Sequence, residues 1–523
     1  MTFTPAPHIT QNWLLTKPAA SGRRGMVVSQ ARSAAEAGVA VLDAGGNAID
    51  AALATALALS TVEPWNSGLG GIGHAVVHRA GEARAETVDF GPTAPLALDP
   101  SRFKLTGRVA SDLFGWPEVE GDTNIHGPLS FVVPSAVAGY AEMHARWGKL
   151  PLSEIAEPAV ALARRGLPQD WHTTLKIANS AAILRQYPES ARIYLRDGLP
   201  PLAPYQGPLS YFRQGNLPDT LARLRAAGWR DFYEGEIAAQ IVADVKALGG
   251  VLSAEDLRRY RPRVSPATQV PWGSRTIQLT GQLTAAPTAA DVLHHMAGVR
   301  AGKMPDAAWY VALARALKSA YAQRLTSLGD AEPQAAESCT THITTCDADG
   351  TMVALTTTLL SSMGSRVVLP TSGILMNNGV MWFDPRPGQP NSIGPGKRPL
   401  TNMFPVIMRD GDRPWIAAGA SGGRRIMAAV LQLVAFVAEF GMTPQEAAHQ
   451  PRIDVSDPDK VTADRRLAPD ILAALQAEGP TEIVEHSVLP LNFACPNLLL
   501  RADGMRTGIS DAASPWSAAV AQA

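Results

Sequence analysis

The sequence predicts an α+β protein in which helices cover antiparallel β-sheet, and three observations carry that prediction. The first third is alanine-rich, with apolar residues at helical spacing. After about residue 337 the composition turns β-rich. There Asp349-Gly350, Asp410-Gly411 and Asp503-Gly504 each separate two apolar runs, the mark of a hairpin. Between them lies "RRIMAAVLQLVAFVAEFG", a helix apolar nearly all round, which must be buried on more than one side. Helices combined with antiparallel sheets give a layered sandwich.

Each element follows from local signals. "SAAEAGVAVLDAGG" reads as a helix opened by a capping box, Ser33 with Glu36, and ended at Gly45. In "GGNAIDAALATALALSTVEP", Ala48, Ile49, Ala52, Leu53, Ala56 and Leu57 recur at helical spacing until Pro64 stops the helix. The next stretch, Gly68 to Gly73, matches G-x-G-x-x-G, the dinucleotide fingerprint. Its context is reversed. The loop leaves a helix and enters the strand-like "HAVVH", so no helix start faces a pyrophosphate. Asp89 follows a second strand-like run, "AETVDF". The glycines read instead as a tight turn where backbone packs closely. "SAVAGYAEMHARWG" and "LSEIAEPAVALARRG" are consecutive amphipathic helices, each stopped by glycine. Residues 170–330 continue mostly helical, with proline-rich connections at 199–208 and 261–272, and no fixed-period repeat appears.

Bulk properties narrow the function classes. At 523 residues the chain needs two domains or one large layered one. The net charge is −1 and basic residues are scattered, which argues against nucleic-acid or membrane surfaces. Cys339, Cys346 and Cys495 fit neither a disulfide framework nor a zinc motif. The first 25 residues lack a basic start followed by an apolar core, and a cytoplasmic location is expected.

"ESCTTHITT" places Thr340, Thr341 and His342 at the head of the first β-run of the second part. Threonine is ordinary in strands. Its hydroxyl becomes a useful nucleophile only beside a base, and one solution is to make it the first residue of a chain, whose α-amine takes the proton. That requires cutting the Cys339–Thr340 bond. Here "GGNAIDAALATALALSTVEPWNSGLGGIGH", "CTTHITTCDADGTMVALTTTL", "SGILMNN", "PGKRPLTNMFPVI" and "GASGGRRI" matter jointly. In this order they resemble the γ-glutamyltransferases, N-terminal-nucleophile hydrolases with an αββα sandwich. The resemblance spans almost the whole chain and is weakest at 100–330.

The resemblance implies roles. Thr340 matches the nucleophile, which in the precursor attacks its own preceding carbonyl and releases a large chain, 1–339, and a small chain, 340–523, of one integrated fold. Thr358 matches the threonine that hydrogen-bonds the nucleophile and helps the self-cut. Gly422 and Gly423 match the paired glycines whose N–H groups stabilise the oxyanion, a role that suits bare backbone at a helix start. Neither a metal nor an organic cofactor is called for. The expected partner is a small amide or peptide substrate, and the assembly to consider is a dimer of two-chain units.

The substrate clamp departs from the family pattern. Gly91 stands where the family has an arginine that follows "DF", and Leu360 where it has an asparagine. Gly379 and Trp382 replace the glutamine and aspartate that grip an α-ammonium group. Thr401 and Asn402 replace paired serines and can still hydrogen-bond. Losing one partner of a buried charge pair costs on the order of 2–5 kcal/mol, so glutamyl recognition should be largely gone. Leu360 and Trp382 point to a more apolar pocket. Arg366 and Arg424 are candidates to receive a carboxylate from a new direction, against the plainer reading of structural ion pairs. The short segment "DPRPGQPNSIGPGKRPL" points to an open cleft. The expected function is a self-processing amidohydrolase or acyltransferase whose acyl group is not a standard γ-glutamyl. The alternatives are a true glutathione hydrolase with a rebuilt pocket and an uncleaved, non-catalytic binding protein.

Overall fold

A computed structural model describes residues 13–110, 116–299, 302–328, 338–457 and 459–523. Two seven-stranded sheets, antiparallel throughout, lie face to face between two helical layers. This is the four-layer αββα sandwich. One sheet runs, in spatial order, Ala518–Ala521, Met26–Ser29, Ser338–Cys346, Met352–Ser361, Ile72–His78, Glu86–Phe90 and Arg263–Pro266. The other runs Ala20–Gly22, Met505–Ser510, Cys495–Ala502, Arg413–Ser421, Val406–Asp410, Arg275–Leu279 and Thr268–Trp272. All three Asp-Gly pairs join neighbouring antiparallel strands, as expected.

Three apolar layers hold the sandwich. Helices Arg32–Asp43, Ala48–Val62 and Ala136–Trp147 bury their apolar faces on the first sheet through Leu53, Leu57, Ala75, Ile343 and Leu355. Helices Ala286–Met296, Ala307–Leu328 and Arg425–Ala438 cover the second sheet, where Val430, Leu433 and Phe436 meet Met408, Ile416 and Leu498. Between the sheets, Met26, Val76, Ala354, Ile407, Ala417 and Leu499 form the central layer. Burial of this kind is the main favourable term in folding.

Two local expectations are corrected. Ser33 does not cap the first helix. The helix starts at Arg32 with Ala31 at its cap and no side-chain capping bond, while Glu36 pairs instead with the Arg32 guanidinium at 2.8 Å. The capping box belongs to the next helix, where Asn47 and Asp50 satisfy each other's backbone N–H groups. The proline-rich 261–272 stretch is not a connection but two edge strands, Arg263–Pro266 and Thr268–Trp272. Proline is tolerated there because an edge strand need not donate on both sides.

The glycine turn behaves as expected. A Cβ on Gly70 would strike the Leu375 carbonyl, one on Gly71 would lie 2.7 Å from the Thr358 carbonyl, and one on Gly73 would strike the Thr356 carbonyl. The turn therefore lies directly on the backbone of the Thr358 strand. Across the sandwich, Gly419 gives the same kind of room to the His342 ring, which a Cβ there would overlap. Gly419→Ala should lower stability by roughly 1–3 kcal/mol through overpacking. In Gly419→Ala/His342→Ala the two effects should fall short of additive, as a double-mutant cycle in urea would measure.

Candidate active site

Thr340 sits at a break in sheet register. Cys339 pairs with Leu360 and Thr341 with Thr357, so Thr358 and Leu359 together oppose the single residue Thr340 and the extra residue of the bulge lies on the Thr358 strand. Bulges re-aim a side chain, and here the Thr340 hydroxyl donates to Thr358 Oγ1 at 3.4 Å, the outer limit of such a bond. Thr358 Oγ1 also accepts the Leu360 N–H at 2.8 Å. That second bond anchors the Thr358 hydroxyl to its own backbone, so its oxygen is a fixed point for Thr340. Thr340 is 4% exposed and Thr358 fully buried. Cys339 is described for its backbone alone. His342 does not reach Thr340. Its Nδ1 pairs with Thr356 Oγ1 at 2.9 Å, and burial pushes its pKa down to about 3, so the ring is neutral.

Gly422 and Gly423 lie at the same end of the sandwich, because His342, two residues after Thr340, stacks on Gly419, three residues before Gly422. Both have left-handed backbone, φ 138° and 60°, and a Cβ on Gly422 would lie 2.6 Å from that of Ala494. Glycine is required here. Among the described residues neither N–H has an acceptor, although the Gly422 carbonyl accepts the Arg425 N–H at 3.2 Å. Two free N–H groups immediately before the Arg425–Ala438 helix make an anion-stabilising corner.

The altered clamp positions divide. Leu360 (3% exposed) and Trp382 (4%) come together in one apolar cluster with Met381, Phe383 and Met403. Leu360 adopts φ 89°, an uncommon conformation for a non-glycine residue, as do Met363 and Arg366 in the same turn. Gly379 packs so closely on Val132 that a side chain would overlap it. The Thr401 hydroxyl is turned inward and donates to the Leu283 carbonyl at 3.0 Å, so it is not offered to a ligand. Asn402 Oδ1 accepts from Arg324 at 3.2 Å. Arg366 binds Ser361 Oγ and the Gly364 carbonyl, a brace across its own turn. The Arg424 carbonyl accepts the Tyr321 hydroxyl one residue beyond the glycine pair.

Some charged groups near these residues escaped the reading of motifs. Beside Gly91, where a Cβ would meet three polar atoms at 3.0 Å, stand Arg398, Asp89 and His74. Arg398 pairs with Asp89 at 2.5 Å, and Asp89 with His74 at 3.3 Å. Burial raises the Asp89 pKa, but its two partners outweigh it and hold the carboxylate low, while burial drives His74 down to about 4. Arg324 is buried with carbonyl and hydroxyl partners and no acid within pairing distance among the described residues. Burial lowers its pKa to about 10. Glu63, at the end of the Ala48–Val62 helix, is 4% exposed. Burial pushes it up to about 7 against the pull of Thr341, Lys176 and Asn66. A lone acid ending an apolar helix, "STVEP", was the available sequence signal for it.

Among the described residues no cluster of three metal-ligating side chains occurs, and no helix is long and apolar enough to cross a membrane.

The chain is similar to known proteins over most of its length. The family model described as Gamma-glutamyltranspeptidase matches residues 34–338 and 331–489. The chain is 28% identical to the glutathione hydrolase proenzyme of Escherichia coli, over 94% of this chain and 90% of that protein. It is 31% identical to the acylase ACY 1 proenzyme of Pseudomonas sp. strain V22, over 86% and 85%. Its fold superposes on a cephalosporin acylase of Bacillus halodurans with TM-score 0.81 and 23% identity, covering 100% and 99% of the two chains.

The raised Glu63 pKa has a stability consequence. A carboxyl held higher in the folded than in the unfolded state adds stability below its unfolded pKa and loses it as pH rises through the folded one. Between the ordinary 4.5 and about 7, the chain should lose up to roughly 3 kcal/mol relative to Glu63→Gln. Urea unfolding of both proteins at pH 5 and pH 8 measures the difference.

Proposed function

The chain belongs to the gamma-glutamyltranspeptidase family of N-terminal-nucleophile amide hydrolases and acyltransferases, and from that premise we propose that it cuts itself before Thr340 and then acylates that residue. The observation that carries the reading is the single site of Thr340, Thr358 and two acceptor-free glycine N–H groups at one end of the sandwich. In the precursor, Thr340 Oγ1 attacks the Cys339 carbonyl carbon. The peptide bond gives way to an ester, the Thr340 nitrogen becomes an amine, and water cleaves the ester to release Cys339 as a carboxylate. Relatives named as proenzymes are consistent with such a precursor. The products would be chains 1–339 and 340–523.

In the mature form the Thr340 amine takes the hydroxyl proton as Oγ1 attacks a substrate amide carbonyl. The oxyanion forms towards Gly422 and Gly423, where fixed dipoles stabilise it without reorganisation. The amine passes the proton to the leaving nitrogen, and an acyl ester on Thr340 remains. Water, or an amine, then takes the acyl group.

The acyl group is not a standard γ-glutamyl. A glutamyl ammonium needs anions, and Gly379 and Trp382 supply none. The Leu360–Trp382–Met403 cluster favours an apolar acyl chain. A second reading, a glutathione hydrolase with a rebuilt clamp, draws on Arg398 beside Gly91, which brings a guanidinium to the place the family fills from position 91. The two separate on a panel of p-nitroanilides. Aliphatic acyl anilides should be turned over at least about tenfold better than the γ-glutamyl compound, and the reverse order selects the second reading.

On a denaturing gel the purified protein should run as two bands, the smaller beginning at Thr340 by N-terminal sequencing. Thr340→Ala should remain one band. Thr358→Val should cut on the order of 10–100 times more slowly, if one hydrogen bond in the transition state is lost. A wild-type chain that stays whole yet hydrolyses amides overturns the reading.

A further inference from the structure

One part of the surface is apolar without being covered. Of the thirteen large apolar side chains exposed among the described residues, six fall between 171 and 211: Trp171, Leu199, Leu202, Tyr205, Leu209 and Tyr211. Five of them belong to "GLPPLAPYQGPLSYF", residues 198–212, a segment with four prolines and no charged residue. It is tied down at both ends. The Thr174 hydroxyl donates to the Pro201 carbonyl at 2.6 Å, the Gln169 N–H donates to the Ser210 carbonyl at 2.8 Å, and Tyr211 pairs with Pro168. Trp171 stands between Gln169 and Thr174, at the start of the Trp171–Ala178 helix. Between its anchors the segment projects, with Leu202 76% and Tyr205 98% exposed. An apolar surface of this kind is unfavourable in water and marks a contact.

The rim of this strip is basic. Arg165 holds its guanidinium over the Tyr211 ring, 5.0 Å from the centroid. Arg213 donates to the Arg164 carbonyl at 3.0 Å, and Arg185 to the Gly198 carbonyl at 2.7 Å. Arg196 exchanges backbone hydrogen bonds with Leu199 at 2.7 and 2.9 Å. All five arginines are exposed, and none pairs with an acid among the described residues. Residues 164–213 carry seven basic and three acidic side chains, in a chain whose net charge is −1. Along the sequence these cations look scattered, but the contacts above gather five of them around one apolar strip.

Charge and shape together select the partner. A second copy docked about a two-fold axis would set arginines against arginines. A nucleic acid would match the rim and leave the apolar centre without a place. The boundary of a bilayer matches both, because Leu, Tyr and Trp enter it while guanidiniums stay with the phosphates. We propose that this face docks the protein on membranes that contain anionic lipids. Leu202 and Tyr205 enter between headgroups and acyl chains, and Arg165, Arg185 and Arg196 meet lipid phosphates. The protein lies on the bilayer without spanning it. The proposal goes beyond the chemistry at Thr340 and does not depend on it.

Flotation on a density gradient tests it, with the purified protein, cut or whole, and vesicles of phosphatidylcholine alone or with about a quarter phosphatidylglycerol. The mixed vesicles should bind the protein at least about tenfold better, and about 0.5 M sodium chloride should remove most of that difference. Leu202→Ser/Tyr205→Ser and Arg165→Gln/Arg196→Gln should each weaken binding about tenfold or more. All four side chains are exposed, so both variants should melt as the wild type does. A wild type that floats with neither vesicle overturns the proposal, and so does a double variant of either kind that binds unchanged. Sedimentation velocity guards against the rival occupant. A dimer that Leu202→Ser/Tyr205→Ser abolishes, in a protein that does not float, assigns the face to a second copy instead.

Discussion

The close approach of two backbones organises this molecule. At Gly70, Gly71 and Gly73 the chain rests on main-chain carbonyls with no side chain between, two of them those of Thr356 and Thr358. That contact fixes the strand whose Thr358 hydroxyl is in turn pinned by the Leu360 N–H. Thr340, which faces the bulged pair Thr358 and Leu359, takes its bearing from that oxygen. Gly419 does the equivalent work across the sandwich, letting the sheets close over His342 and carrying the Gly422–Gly423 corner to the same end. Interiors are packed too tightly to absorb misplaced methyl groups, so the position of the hydroxyl is set by where carbon is missing.

The protein keeps a set of buried and half-buried charges. Asp89 is balanced by Arg398, with His74 neutral beside it. Among the described residues Arg324 bonds carbonyl, hydroxyl and amide oxygens and no acid. Glu63 is held by one amide and left open on its other oxygen. In low dielectric such charges act on their neighbours far more strongly than surface charges could. The buried cluster of Leu360, Trp382 and Met403, in contrast, offers no charge.

The fold was largely legible in the sequence because its signals are local. Asp-Gly pairs mark hairpins wherever they occur, and a fully apolar helix has only one place to go. The reversed order of helix, glycine loop and strand was enough to dismiss a nucleotide and leave backbone packing as the reason for the glycines. What failed was also local but ambiguous. Ser33 has the composition of a cap, yet Ala31, two residues earlier, occupies the position. Prolines at 266 and 271 suggested a linker, since sequence alone does not say which strands lie at an edge. The site was legible only as a set of motif positions. Nothing in "RPLTN" says that the threonine hydroxyl faces inward to Leu283, and nothing in "KRPL" says that Arg398 lies beside Gly91. Those facts arise from contacts hundreds of residues apart.

The sheet that carries Thr340 interleaves segments from both sides of the Cys339–Thr340 bond: 26–29, 72–78, 86–90 and 263–266 before it, 352–361 and 518–521 after it. Fragments produced by scission there would be woven rather than docked. Neither could present a finished surface to the other, so dilution would not part them, and each would be a stranded half-weave if made alone. Such a break can occur only after the whole polypeptide has found its shape, which makes it a record that folding has succeeded.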